Sequence, residues 1–252
     1  IGSTLLRFAI PFLLASFLQA LYGAADLYVV GKFDTAAGVS AVAIGSQVMQ
    51  TITGIVLGIS TGGTVLLGRC VGERNWKAAA YAIGTIGIVF LILAMVVTPV
   101  MLLLAENILL AMETPQEAFA SAKSYLMICS AGIPFIVGYN AVSGIFRGLG
   151  DSKTPLYFIF LACVLNVGMD FLLVGAFHMG AAGAAIATIF AQAVSFFTAL
   201  LYMWRKGFSF PFHREYFRLN LSSALRIWKV GLPLALQDAL VNVSFLIITT
   251  IV

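Results

Sequence analysis

Long, uninterrupted apolar runs constrain this chain more than any other feature of its sequence. A helix that crosses a membrane needs about 20 mostly apolar residues, and six complete runs reach that length. They are Phe8–Val30, Ala36–Leu67, Ala78–Ala105, Phe119–Phe146, Pro155–Phe177 and Ala181–Trp204. A seventh run begins near Ala224 and reaches Val252. The sequence therefore predicts an all-α integral membrane protein with six complete spans and the start of a seventh helix.

The composition supports lipid as the solvent of this chain. Hydrophobic residues make up 61% of it and charged residues only 10%, whereas soluble domains carry about 25% charged residues. The runs do not alternate and far exceed the roughly 10 residues of a barrel strand, which favours helices over a transmembrane barrel. Three scattered cysteines form no disulfide or zinc pattern. Because no catalytic motif is present either, we expect neither enzyme activity nor a bound cofactor.

Basic residues predict the orientation of the bundle. When the loops are assigned to alternate sides, Lys32 and Lys123 lie on one side and all other basic residues on the opposite side. The latter are Arg7, Arg69, Arg74, Lys77, Arg147, Lys153, Arg205, Lys206, Arg214, Arg218, Arg226 and Lys229. An excess of Lys and Arg marks the cytoplasmic face, so we expect a multi-pass protein of the plasma (inner) membrane with a cytoplasmic N-terminus. The net charge of +4 then reflects topology and contacts with anionic lipid, not nucleic-acid binding.

The longest polar segment predicts a boundary between two repeats. Residues 205–221 form a basic connector, and beyond it the motif around Pro233 resembles the motif around Pro11. A parallel repeat of this kind is typical of transporters built from duplicated halves. We therefore divide the chain into a six-helix lobe (1–204), a cytoplasmic connector (205–221) and the first, incomplete helix of a second lobe (222–252). The rest of that second lobe is the expected partner within the same protein.

Three acidic residues lie inside the apolar runs, namely Asp26, Asp170 and Asp238. An acid at mid-helix costs roughly 2.5 to 3.5 kcal/mol on insertion scales, and no basic residue lies deep in a complete run to pair with them. A rise of about 1.5 Å per residue places Asp26 and Asp170 at similar depths, roughly 9 and 12 Å from the same membrane surface. Asp238 is the weaker candidate because it lies near the start of the incomplete helix.

Two further polar residues, Thr188 and Tyr125, fall in the same layer by this count, and Asn166 lies one turn deeper than Asp170 on the same helical face. Alone, a threonine hydroxyl usually bonds to its own helix, a tyrosine anchors an interface, and an asparagine joins helices. Beside two unpaired acids, their oxygens suggest a site for sodium or a shared proton, with Asp26, Asn166, Asp170 and Thr188 as the ligands of a metal cation. Repulsion and poor solvation favour the neutral form of a carboxyl group, so we expect one acid to hold a proton near neutral pH unless sodium displaces it.

Polar residues at helical spacing predict a water-filled cavity that leads to this layer. Gln19, Tyr22 and Asp26 share one face of the first helix, and Thr188 and Gln192 share one face of the sixth. Gln47 begins a similar stripe in the second helix. Such faces either line a cavity or join helices, and we favour the cavity. Pro11 interrupts the hydrogen bonding of the first helix, which suggests a hinge as well as a static kink.

Several motifs together resemble the multidrug and toxic compound extrusion (MATE) transporters. They are Pro11 with GAADLYVVGKF around Asp26, GRCVGE at the end of the second run, RGLGDSKTP from Arg147, NVGMD from Asn166 to Asp170, and GAAGAAIAT ending at Thr188. The resemblance implies twelve helices in two six-helix lobes, with drugs exported in exchange for sodium or protons. It also implies a cation site in the N-terminal lobe at Asp26, Asn166, Asp170 and Thr188, with Tyr125 carried over without a surrounding motif.

The predicted function is a cation-coupled antiporter that exports small cationic or apolar compounds by alternating access. A cation that neutralises the acidic layer shifts the conformational equilibrium only if it binds one state more tightly than the other. One alternative is a flippase for lipid-linked sugars, which requires basic residues in the cavity. The other is a membrane scaffold without transport, which leaves the buried acids without a purpose.

Overall fold

The computed structural model describes residues 2–208, 210 and 214–251, and all regular structure in these ranges is helical. The helices are α1 (Gly2–Phe33), α2 (Ala36–Gly72), α3 (Trp76–Ala111), α4 (Gln116–Ala131), α5 (Ile133–Gly148), α6 (Lys153–Asp170), α7 (Gly180–Lys206) and α8 (Leu221–Ile251). Five of the described helices are long and apolar enough to cross a membrane, and α4 with α5 completes a sixth span if the bent pair is one. The predicted all-α membrane fold is confirmed.

The fourth apolar run is broken, although the sequence predicted one continuous helix from Phe119 to Phe146. α4 and α5 meet at Gly132 with a bend of 46°. Pro134 lies in the first turn of α5 and has no amide hydrogen to continue the hydrogen bonding of α4. A Cβ atom at Gly132 would also collide with the side chain of Ile189. The absence of a side chain at Gly132 therefore leaves room for Ile189 of α7 at the junction of α4 and α5.

The sixth run also differs from a regular helix. α6 ends at Asp170, and the chain continues as a π-helical segment over Phe171–Ala176. π-Helical turns widen the backbone and often occur at functional sites. The widened turn begins directly after a predicted site residue, so it determines how the Asp170 side chain is presented.

Large apolar side chains cover the outside of the bundle, as lipid requires. On α3, Leu91, Met95 and Leu103 are 61%, 71% and 80% exposed. The interior of the lobe is filled by residues such as Ile86, Leu126 and Ile133, which are buried. Exposed large apolar residues are costly in water but not in a hydrocarbon environment. This arrangement agrees with the membrane location of the chain.

The connector packs on α3, as far as it is described. Residues 209 and 211–213 lie outside the described residues, but Tyr216 and Phe217 pack over Gly84 and Gly87 of α3. The Thr85 hydroxyl donates to the Arg218 carbonyl (3.4 Å). Beyond the connector, α8 begins at Leu221 and lies along α2. The division of these segments into two lobes stays a prediction.

At the turn between α5 and α6, one acidic residue joins α6 to α7. Asp151 accepts hydrogen bonds from the Thr154 amide (3.0 Å), the Thr154 hydroxyl (2.7 Å) and Lys206 Nζ (3.1 Å). Partial burial raises the pKa of the Asp151 carboxyl, but these donors outweigh it and hold the pKa below its ordinary value. The carboxylate therefore stays charged and fixes this end of the bundle.

Candidate cation site and cavity

Four of the predicted site residues meet inside the lobe, on three different helices. Asp26 of α1, Asn166 and Asp170 of α6, and Thr188 of α7 are at most 9% exposed. The Asn166 amide donates to the Thr188 hydroxyl oxygen (3.3 Å), which in turn donates to Asp26 Oδ2 (3.1 Å). Thr188 thus bridges the other two helices, and its hydroxyl is used across the bundle instead of bonding to its own helix.

Asp170 is the second carboxyl group of the cluster, and it interacts with Asp26. The two carboxyl groups are close enough to form a hydrogen bond with each other. A carboxylate oxygen only accepts hydrogen bonds, so this pairing requires a proton on one of the two acids. An alternative is a cation between them, which would be attracted to both carboxylates.

The cluster has an excess of acceptors over donors. Four buried oxygens receive no hydrogen bond from the described part of the chain: Asp26 Oδ1, Asn166 Oδ1, Asp170 Oδ1 and Asp170 Oδ2. A buried polar atom without a partner costs about 1 to 3 kcal/mol, and a charged one more. Oxygen atoms are the ligands preferred by hard cations. The residues present therefore fit a small cation or a proton. Among the described residues, no group of three or more His, Cys, Asp or Glu side chains is arranged to hold a metal ion.

The local structure explains how these side chains converge. Asn166 and Asp170 are four residues apart, so both project from one face of α6. α6 changes to the π-helical segment immediately after Asp170. Near the start of α7, the alanines and the glycine around Thr188 are buried, and their small size allows α6 and α7 to approach closely. The spacing on α6 and the close packing of α6 on α7 thus bring Asn166, Asp170 and Thr188 together.

A cavity of about 330 Å³ lies beside the cluster and is open on one side. It is lined by Gln19, Tyr22 and Asp26 of α1, by Ser46, Gln50 and Thr53 of α2, by Tyr125 and Cys129 of α4, by Ile136 of α5, and by Thr188 of α7, among others. Among the described residues of this lining, Asp26 is the one charged side chain. The electrostatic character of the cavity is therefore acidic.

The predicted cavity residues are placed differently from one another. Gln19 and Tyr22 line the cavity, and Gln192 lies behind Tyr22, with its amide 3.4 Å from the Tyr22 hydroxyl. Gln47 does not line it, which corrects the prediction for α2. The stripe that faces the cavity starts at Ser46 and continues through Gln50 and Thr53 at i+4 and i+7. Gln47 is one position, or about 100°, away from this stripe.

Tyr125 lines the same cavity as Asp26 and Thr188. Its ring packs against Gly45 of α2, where a Cβ atom would collide with it. Its hydroxyl makes no hydrogen bond to Asp26, Asn166, Asp170 or Thr188 in the structure, all of which are described. Tyr125 is thus a wall of the cavity here, and its role as a cation ligand stays a prediction.

Two other predicted residues lie apart from the cluster. Asp238 is half-buried on α8 and is not part of the cavity lining. Pro11 is buried inside the continuous helix α1, fifteen residues before Asp26. Ser46, Thr53 and Cys129 also line the cavity, although the sequence pattern did not predict them there. The signal for Ser46 and Thr53 was present, since both share the helical face of Gln50.

Comparison with known proteins identifies relatives over the whole chain. The family model described as MatE matches residues 11–172. "Probable multidrug resistance protein YpnP" of Bacillus subtilis (strain 168) is 32% identical over 248 residues, which are 98% of this chain and 55% of the relative. "Probable multidrug resistance protein NorM" of Thermotoga maritima is 27% identical and covers 100% of this chain and 54% of the relative.

Solved structures agree with this result. "Crystal structure of MATE in the bent conformation" superposes with a TM-score of 0.88 and 25% identity, over 93% of this chain and 52% of that chain. An outward-facing MATE transporter of the MOP superfamily superposes with a TM-score of 0.87 at 25% identity, again over 93% of this chain and 52% of that chain. The chain thus spans about half the length of the relatives it matches.

Proposed function

The chain belongs to the MatE family of MATE transporters, and from this membership we propose that it is the N-terminal lobe, with the first helix of a second lobe, of a cation-coupled antiporter. Its relatives carry names such as multidrug resistance protein and multidrug export protein. The proposed activity is export of small cationic or apolar compounds by alternating access, driven by sodium or protons. The family consists of transporters and not enzymes.

The observation that carries this proposal is the buried cluster of acceptor oxygens beside an acidic cavity. Asp26 belongs to both, since it accepts from Thr188 in the cluster and also lines the cavity. A cation in the cluster and a cationic compound in the cavity would therefore compete for one carboxylate. Competition of this kind supplies the differential affinity that coupling requires. The test is efflux of a cationic dye from vesicles that contain the full-length protein, under imposed sodium or proton gradients.

The flippase alternative has a weaker basis. Lipid-linked pyrophosphate needs basic side chains, and the described lining of the cavity contains none. A MOP superfamily transporter from Pyrococcus furiosus, which superposes with a TM-score of 0.86 at 25% identity, has a binding pocket of reverse polarity that suggests a different function. Pocket polarity is thus connected to function in that protein. By the same logic, an acidic cavity favours cationic substrates here.

The proposed orientation places the N-terminus and the basic end of the bundle in the cytoplasm of a cell whose plasma membrane holds the protein. Cysteine at Lys153 and at Glu117 is expected to react with an impermeant thiol reagent from opposite sides, because both positions are exposed and lie at opposite ends of α4–α5. A cysteine at the neighbouring position Ser152 would not report on the topology, because this residue is only 8% exposed and the reagent would not reach it. Native Cys70, Cys129 and Cys163 are replaced first. Labelling of both positions from the same side would contradict the topology.

Pro11 is the proposed hinge of α1. A proline inside a helix lacks the amide that would bond to the carbonyl four residues before it, so α1 can bend there and move Asp26. Pro11→Ala is expected to slow ion-driven efflux several-fold and to leave folding intact, as measured by dye efflux and thermal unfolding. Pro99→Ala is the matched control, because Pro99 lies inside α3 on the exposed surface. Equal efflux by both variants and the wild type would leave Pro11 with a packing role only.

A further inference from the structure

A second cavity lies at the basic end of the bundle, between α2 and α8. Its volume is about 140 Å³. Three cations surround it, Arg69 from α2 and Arg226 and Lys229 from α8. Its floor is apolar and includes Val65 and Val230, which are 50% and 37% exposed. We call this the α2–α8 groove. It is separate from the acidic cavity, because the described linings of the two have no residue in common.

The charges of the groove are incompletely balanced. Arg69 forms an ion pair with Glu73 (2.8 Å), and both side chains are largely exposed. Arg226 and Lys229 form no ion pair with any residue that the structure describes. Three cations against the one carboxylate of Glu73 leave two positive charges at the groove. Such a surface attracts an anion.

The position of the groove indicates which anion this is. α2 has 37 residues and is therefore about 55 Å long, well beyond the roughly 30 Å of the hydrocarbon core. Arg69 lies one turn before its end at Gly72, at the depth of lipid headgroups. The exposed Val65 lies one turn deeper on the same face. A ligand with an anionic head and an apolar tail would match both parts of the groove.

We propose that the α2–α8 groove binds one anionic phospholipid, with the headgroup phosphate between Arg69, Arg226 and Lys229 and an acyl chain along Val65 and Val230. Basic pockets between transmembrane helices are suited to such headgroups. Free inorganic phosphate lacks the apolar tail and therefore would leave half of the groove unused. A zwitterionic lipid carries its own positive charge, which the three cations repel.

Binding there would join two helices. Directly beside the groove, Gly62 of α2 faces the backbone of Ile227 and Gly231 of α8 so closely that a Cβ atom would collide with it. A phosphate held by Arg69 on one helix and by Arg226 and Lys229 on the other would hold this contact together. The lipid is thus expected to stabilise the position of α8 against α2.

The test uses the full-length protein, purified in detergent, with phosphatidylglycerol or phosphatidylcholine added. Bound lipid is counted by native mass spectrometry and thermal unfolding is followed in parallel. The wild type is expected to retain one phosphatidylglycerol and to unfold at a higher temperature in its presence. The R226Q/K229Q variant is expected to bind it about thirtyfold more weakly, since one basic residue near an anionic surface contributes about 1 kcal/mol, or about fivefold in affinity. K77Q/R205Q is the control, because both residues are exposed on the same end and lie outside the groove.

Loss of phosphatidylglycerol binding in R226Q/K229Q, with retention in K77Q/R205Q, would support the site. Equal losses in both variants would mean that the basic end attracts lipid diffusely and would overturn the proposal. Equal stabilisation by phosphatidylcholine would show that charge is irrelevant and overturn it as well. Stabilisation by inorganic phosphate alone to the same extent would assign the groove to a free anion instead.

Discussion

Asp26→Asn and Asp170→Asn are each expected to abolish ion-driven efflux while leaving a folded protein. Either change removes one of the two carboxylates that meet in the cluster and leaves the other without its partner. Asparagine keeps the shape of the side chain and supplies a donor to a cluster that has four buried oxygens without one. Thermal stability is therefore expected to be equal to or higher than that of the wild type, while coupling is lost. The measurements are dye efflux and sodium-dependent thermal unfolding between about pH 6 and 8, because repulsion and poor solvation link sodium binding to proton binding at the two acids.

Two further variants serve as comparisons, one inside the cluster and one outside it. Thr188→Ala removes a hydroxyl that bridges Asn166 and Asp26. Because water can replace a hydroxyl, sodium affinity is expected to fall by about tenfold or less, in line with the net contribution of one ordinary hydrogen bond, about 0.5 to 1.5 kcal/mol. Asp238→Asn removes a half-buried acid outside the cavity lining and is expected to keep coupling. Loss of coupling in Asp238→Asn but not in Asp26→Asn would move the site to α8.

Gly62→Ala is expected to lower the thermal stability of the protein strongly. The added Cβ would meet the Ile227 carbonyl oxygen and the Gly231 backbone of α8, and backbone atoms cannot move aside as a side chain can. Overpacking of this kind costs about 1 to 3 kcal/mol. Because the contact holds α8 against α2, transport is expected to fall too. Thermal unfolding and the yield of monodisperse protein measure the effect.

Gly168→Ala is the matched control for this prediction. Gly168 also lies inside a helix, but a Cβ there has no neighbour within 4 Å. Alanine favours helix over glycine by about 1 kcal/mol, so the control is expected to be neutral or stabilised. If Gly62→Ala were as stable as Gly168→Ala, the close contact between α2 and α8 would be contradicted.

Much of the fold follows from the sequence because membrane spans are determined by length and apolarity. The bounds of α2, α3 and α7 extend the predicted runs by a few residues into polar flanks such as Arg69 and Lys206. The cluster was also predictable, since carboxyl groups without basic partners must meet other polar groups when they are buried. A depth count along each helix was enough to bring Asp26, Asp170 and Thr188 together.

The misplaced details have local causes that a count along one helix does not reveal. The bend at Gly132 depends on Ile189 of a distant helix as well as on Pro134. The π-helical segment after Asp170 has no signature in apolar spacing. Gln47 was assigned to the cavity because the polar stripe of α2 was counted from Gln47 instead of Ser46. The packing of α4 on α2 determines which face of α2 is open to the cavity, and spacing along α2 does not reveal this packing. Tertiary contacts decided each of these points.

The most direct test of the proposed coupling site is efflux by the Asp26→Asn, Asp170→Asn double variant of the full-length protein in vesicles with an imposed sodium or proton gradient. The wild type is expected to export a cationic dye against its concentration gradient under at least one of the two ion gradients. The double variant lacks both carboxylates of the buried cluster, so it is expected to show no ion-driven export, even though it folds and still binds dye weakly. Full export by the double variant would contradict the account, because the coupling ion would then have to bind elsewhere.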